Sequence, residues 1–212
     1  MDLARQHTIR ESHHRILNPY TPEKLTTLGA ALRLRPGDIM LDLCCGKGEM
    51  LSTWAREHAI TGTGVDISTV FLAAARERAA ALDVAAQVSF VHGDASSYIA
   101  DSPVDVAACV GATWIGGGVT GTVGLLERSL RPGGLMLIGE PFWRAEPPSQ
   151  EAVEGCFAQS PQRLSGFAGP HLPLPGAELR RRRNGAGRRG QLGSLRGRAM
   201  AERQNLARRQ PR

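Results

Sequence analysis

Ile39-Met40-Leu41-Asp42-Leu43-Cys44-Cys45-Gly46-Lys47-Gly48-Glu49 is a short apolar run that ends in an acid and then breaks into small residues. It predicts a buried strand feeding a glycine-bearing turn. The residues that follow place apolar side chains at Met50, Leu51, Trp54 and Ala55, the spacing of a helix with Trp54 in its core face. Strand, turn and helix together open a nucleotide-binding βαβ unit, in which a glycine without Cβ lets backbone approach a ligand closely.

Outward from this unit, Thr21-Pro22-Glu23-Lys24 reads as a helix start, with Thr as N-cap and Pro in the first helical position. That helix should pass through Leu25, Leu28, Ala31 and Leu32 and stop before Pro36-Gly37. Residues 62–67, 87–94, 104–110 and 135–139 read as further strands, and 69–82 and 119–130 as helices, with Arg131-Pro132-Gly133-Gly134 as a turn. Strands alternating with helices give an α/β fold, a Rossmann-like parallel sheet covered on both sides. Its ligand should sit beyond the carboxyl ends of the strands.

Those ends carry acids. Asp42, Asp66 and Asp94 each close an apolar strand, and Val110-Gly111-Ala112-Thr113-Trp114 follows the fourth. Asp66 lies about 20 residues past the glycine turn, where an acid can accept both ribose hydroxyls. Asp94, after the third strand, is placed to take a hydrogen bond from an adenine amino group, although Gly-Asp is also an ordinary turn pair.

A chain of 212 residues suits one α/β domain with a tail. No run approaches the eighteen or so apolar residues of a membrane span, and the polar start lacks a signal core, so a cytoplasmic protein without a membrane partner is expected. Cys44, Cys45, Cys109 and Cys156 have no metal-ligand spacing and read as reduced thiols; no metal is expected. The net charge of +6 is unevenly spread: residues 179–212 hold twelve arginines and one acid, a net +11, leaving −5 for residues 1–178. Oligomeric state is not readable from these features.

The conjunction of motifs resembles the class I S-adenosylmethionine-dependent methyltransferases over roughly residues 20–145. Their first motif matches Asp42-Leu43-Cys44-Cys45-Gly46-Lys47-Gly48, the second Asp66, the third Gly93-Asp94-Ala95, and the turn before the fifth strand Leu130 to Gly134. Gly139-Glu140-Pro141-Phe142-Trp143 also looks like the segment after the fifth strand in small bacterial methyltransferases. The resemblance implies that S-adenosyl-L-methionine is held by Asp42, Cys44, Gly46, Gly48, Asp66, Ile67, Asp94, Ala95, Val110 and Gly111. It implies a small-molecule acceptor near Trp114, Glu140 and Trp143, with His13 and His14 closing from the amino terminus, and no fixed catalytic residue. As plainer readings, the two histidines and Glu140 would be solvated and Trp143 would pack. Cys44 stands where the family has its first glycine, so the turn must tolerate a Cβ; Cys44 and Cys45 read as packing groups, since no activating base is nearby.

Two other readings stay open. A nicotinamide (NAD) dehydrogenase shares the strand-turn-helix and the ribose acid, but its usual G-x-G-x-x-G is absent here. A nucleic-acid binder would use the Arg-rich tail, non-specifically.

The domain is expected to span residues 1–158, with an amino-terminal helical cap over about 1–36, and the tail 159–212. Phe167 is the last aromatic residue, and the composition beyond it cannot bury enough surface to order itself. The chain has only two lysines, Lys24 and Lys47, beside many arginines, which suggests GC-rich coding. Back-translated with permitted codons and read one base later, 174–193 can give F-Q-E-L-N-Y-D-V-V-E-M-V-L-A-D-E-D-S-W-D, which resembles the carboxyl-terminal part of those bacterial methyltransferases. Met200-Ala201 must then yield Trp. We read the chain as leaving its ancestral frame near 160–163. Without its last strands the sheet would expose an edge and apolar surface, which predicts weak cofactor binding, aggregation or inactivity.

Overall fold

The structure, a computed structural model, describes residues 9–18, 20–141 and 149–155. Helix α1 (Pro22–Leu32) begins where the capping signal places it: the Thr21 side-chain oxygen accepts from the Lys24 amide at 3.3 Å. It ends at Arg33, which adopts the left-handed conformation. Strand β1 (Ile39–Leu43) runs into α2 (Glu49–His58), and β2 (Thr61–Asp66) into α3 (Thr69–Ala81), which is capped by the Ser68 hydroxyl accepting from the Phe71 amide. Then come β3 (Val88–His92), β4 (Val104–Val110), a 3₁₀ turn (Thr113–Gly116), α4 (Val119–Glu127), β5 (Leu130–Gly139) and α5 (Gln150–Gly155).

All pairings are parallel, in the order β3-β2-β1-β4-β5. After β3 the chain therefore crosses back to the other side of β1. Adjacent connections diverge at β1 and β4, and a crevice opens at such a switch point.

Alternation along β1 feeds two cores. Met40 packs with Leu25, Leu51, Trp54 and Ile60, while Leu41 and Leu43 pack with Val65, Ala107, Leu125 and Leu126 on the opposite face. Both faces of the sheet are covered, which is why its strands read as nearly continuous apolar runs. Trp54 is wholly buried, and its ring N–H donates to the Leu25 carbonyl at 3.1 Å.

Two sequence expectations need correction. The helix expected over 119–130 stops at Glu127, because the Ser129 carbonyl already accepts from the Val104 amide at 2.8 Å to start sheet pairing. The expected turn at Arg131 to Gly134 lies inside β5 as a bulge: between the pairs Val104↔Leu130 and Val106↔Leu135, β4 advances two residues and β5 five. Gly133 takes a positive φ of 79° there. Asp105 ties down this end of the sheet by accepting from the Ile39 amide at 2.8 Å and pairing with Arg131. Those contacts hold its carboxyl below the usual range.

Among the described residues β5 is the last strand, and no helix is long and apolar enough to cross a membrane. The tail, and the question of final strands, lie outside the described residues.

Candidate functional site

The crevice at the switch point is a cavity of about 320 Å³, within the range of small-molecule sites. Its floor is the turn after β1. Cys44 adopts φ +59°, the left-handed region that normally favours glycine and costs other residues roughly 1–2 kcal/mol. The Cβ is tolerated because the thiol packs back against Cys109 on β4, a contact that, with burial, keeps the Cys44 thiol protonated. Cys45 is likewise pushed up by burial and fills the space above Gly64. Both thiols therefore serve as packing groups.

The glycines divide the remaining work. At Gly46 a Cβ would meet the Leu17 side chain at 2.6 Å; at Gly48 it would meet Phe90 at 2.6 Å and Ala75 at 2.9 Å. Gly46 admits the amino-terminal segment to the cavity rim, while Gly48, which does not line the cavity, lets α2 start close against β3 and α3.

Asp42, only 3 % exposed, lines the cavity and has no hydrogen-bond partner among the described residues. Burial first, and the neighbouring Asp66 carboxylate second, push its pKa up to about 8. Asp66 accepts from the Gly46 amide at 2.9 Å and the Ser68 amide at 2.8 Å. Each carboxylate oxygen keeps a lone pair for a further donor. Asp94 is exposed at the rim; the Ser96 hydroxyl and its amide, the latter at 2.9 Å, hold its carboxyl below the usual range.

Ile67, Ala95, Val110, Gly111 and Trp114 also line the cavity. Of the expected acceptor residues, Glu140 lies outside it, accepting from the Thr113 hydroxyl at 2.5 Å. His14 pairs with Glu11 at 2.8 Å and faces a second hollow with Glu77 and Arg78. Trp143 lies outside the described residues.

Sequence reasoning expected closure from the amino terminus but not the residues that form the roof. Residues 15–18 and Tyr20 cover the cavity, fastened by Lys47 in the glycine turn. The Lys47 ammonium donates to the carbonyls of Glu11 (2.7 Å), Ser12 (3.1 Å) and His14 (2.6 Å), above the Phe71 ring. Arg15 pairs with Glu49, which also receives two bonds from Arg78 at 2.7 and 3.0 Å. Asn18 fits against Gly111, where a Cβ would come within 2.3 Å of its side-chain oxygen. The amino terminus does close the site, but through backbone carbonyls, Leu17, Asn18 and Tyr20 rather than the imidazole of His14.

The strand order separates the cavity chemically. Asp42, Asp66 and Asp94 sit at the ends of β1, β2 and β3; beyond β4 lie the Gly111–Ile115 segment and Tyr20. Among the described residues no group of three or more His, Cys, Asp or Glu is placed to hold a metal.

Residues 40–134 match the model of a methyltransferase domain family. The chain is 56% identical over 176 residues to the uncharacterized protein YjhP of Escherichia coli (strain K12), covering 83% of this chain and 68% of that protein. It is similar to a crystal structure of a SAM-dependent methyltransferase from Geobacter sulfurreducens in complex with S-adenosyl-L-homocysteine, with TM-score 0.73 and 62% identity over 76% of this chain. A second such complex, from Thiobacillus denitrificans, gives TM-score 0.73 and 58% identity over the same share. The chain spans 65% of the length of each of these two structures.

Proposed function

This chain belongs to the S-adenosylmethionine-dependent methyltransferase family, and from that premise we propose that it binds S-adenosyl-L-methionine in the acid half of its cavity and methylates a small molecule held beyond β4. The observation that carries the reading is Asp42, a buried carboxyl without a hydrogen-bond partner among the described residues, facing the cavity floor. A buried, unpartnered polar group calls for a ligand donor or cation. The cofactor's positive groups suit it.

When bound, S-adenosylmethionine supplies a sulfonium methyl that a nucleophile takes by in-line displacement. The residues have positional roles. Asp66 has lone pairs left for ribose hydroxyls, Asp94 stands at the rim for an adenine amino group, and Gly46 lines the cavity while its amide fixes the Asp66 carboxylate and its missing Cβ admits Leu17. Ile67, Ala95, Val110 and Gly111 supply walls, and Gly48 sets where α2 starts. Such a transfer gains most from orienting two reactants, with a base needed only where the nucleophile has a proton to lose. Trp114 is our acceptor-side residue; Trp143, Glu140 and His14 are assigned supporting roles at most.

Calorimetric titration with S-adenosylmethionine and, in parallel, NAD tests this reading. Saturable heat with the methyl donor and none with NAD is expected; the reverse result overturns it.

We further propose that the tail departs from the ancestral frame near 160–163. The reading rests on the shifted-frame peptide over 174–193 and on the Trp that Met200-Ala201 must yield. A nucleotide sequence whose shifted frame encodes no methyltransferase-like ending would sink this idea.

A further inference from the structure

The cavity is lined by three carboxyl groups, Asp42, Asp66 and Asp94, and by two cations, Arg15 and Lys47. Both cations are drawn toward the start of α2: Arg15 pairs with Glu49, and Lys47 spends its three N–H donors on three backbone carbonyls. An ammonium has only three such donors, so Lys47 has none left for an incoming anion.

The half beyond β4 is of another kind. Trp114 lies at the cavity wall with 64% of its surface exposed, next to Ile115. Tyr20 lines the same cavity close to Gly139, where a Cβ would lie 3.3 Å from the phenol oxygen, and that hydroxyl has no hydrogen-bond partner among the described residues. Glu140, outside the cavity, accepts from the hydroxyl of Thr113, the residue before Trp114. A large exposed indole needs an apolar, flat partner to cover it, and an unpartnered phenol needs one polar atom. A carboxylate or phosphate brought here would find no cation among the residues that line this half, and Asp66 and Asp94 across the cavity would repel it.

We propose that the methyl acceptor is a flat, largely apolar molecule without negative charge, lying on Trp114 and directing one heteroatom to the Tyr20 hydroxyl. The inference rests on the methyltransferase reading above and adds the substrate class. Trp114 and Tyr20 are then the specificity-determining residues, and anions are disfavoured by the lack of a lining cation beyond β4 and by Asp66 and Asp94 across the cavity.

The test uses the full chain saturated with S-adenosylhomocysteine, whose own binding heat is recorded first. Absence of that heat is a failure of the cofactor reading and is seen before any acceptor is added. Three probes sharing a hydroxyphenyl ring are then titrated: 4-methylphenol (neutral), tyramine (cationic) and 4-hydroxyphenylacetate (anionic). The neutral and cationic probes are expected to bind at least tenfold more tightly than the anionic one. Trp114→Ala should weaken them tenfold or more, and Tyr20→Phe severalfold, both with the S-adenosylhomocysteine titration intact as a control for folding. The proposal is overturned if the anionic probe binds as well as the others or better, if none of the three binds the loaded protein, or if Trp114→Ala leaves their affinities unchanged.

Discussion

At Asp42, burial and the adjacent Asp66 carboxylate both favour the proton, so its pKa rises from 3.8 to about 8. The native state then holds more protons than the unfolded chain between those two values, and stability falls as pH rises across that window. Below pH 3.8 the residue exerts no such effect. A neutral isostere removes it: Asp42→Asn should flatten the decline in melting temperature between pH 5 and 8 and raise stability at pH 8 by a few kcal/mol, while weakening the methyl donor at least tenfold. Thermal melts across pH, paired with cofactor titrations, check both; a variant with an unchanged pH slope would disprove the assignment. Asp42 was legible in the sequence because an acid ending an apolar strand is a local pattern. Tyr20 was not, since nothing near it in sequence shows that the chain folds back over Gly139. Cys44 was legible as an anomaly, yet its accommodation depends on Cys109, sixty-five positions away.

Among the elements, the turn between β1 and α2 shows how much one backbone position can decide. Gly48 combines φ +63° with Phe90 and Ala75 on either side, so a methyl group there meets both a left-handed penalty and an overpacked seam. Gly48→Ala should lower stability by roughly 2–5 kcal/mol, the sum of those two costs. Denaturant unfolding measures it, and a loss under about 0.5 kcal/mol would contradict the packing described. Strand β1, α2 and β4 coincide with their sequence expectations, because their apolar periodicity is complete within each segment. The stretch Arg131 to Gly134 went astray: Pro-Gly-Gly signals a turn locally, but pairing of Leu130 and Leu135 to β4 absorbs it as a bulge. The fastening of the roof was illegible for a related reason. Lys47 reaches its partners through main-chain carbonyls, which every residue possesses and no residue type advertises.

For the molecule as a whole, the order β3-β2-β1-β4-β5 follows from alternating strands and helices only once the crossing after β3 is known, and it is this crossing that puts the acids on one side of the cavity and Trp114 on the other. The sequence pointed to the family because four separate strand-end motifs agree; spacing alone could not give the order. The carboxyl-terminal reading also belongs to this scale. A gene with one base removed near codons 160–163 should yield a chain that melts several degrees higher, since each kcal/mol of added stability is worth about 2–4 °C at this size. Equal or lower melting temperature of the repaired chain would count against the altered frame.

The chain has only two lysines, and one of them is the pin that fastens the roof. Lys24 is exposed on α1, whereas the Lys47 ammonium is wrapped by three carbonyls. Each acylation of Lys47 by an amine-reactive ester therefore has to wait for the roof to lift. Lys24 supplies the reference rate within the same molecule, so the natural sequence already carries a chemical clock for the opening of its own cavity.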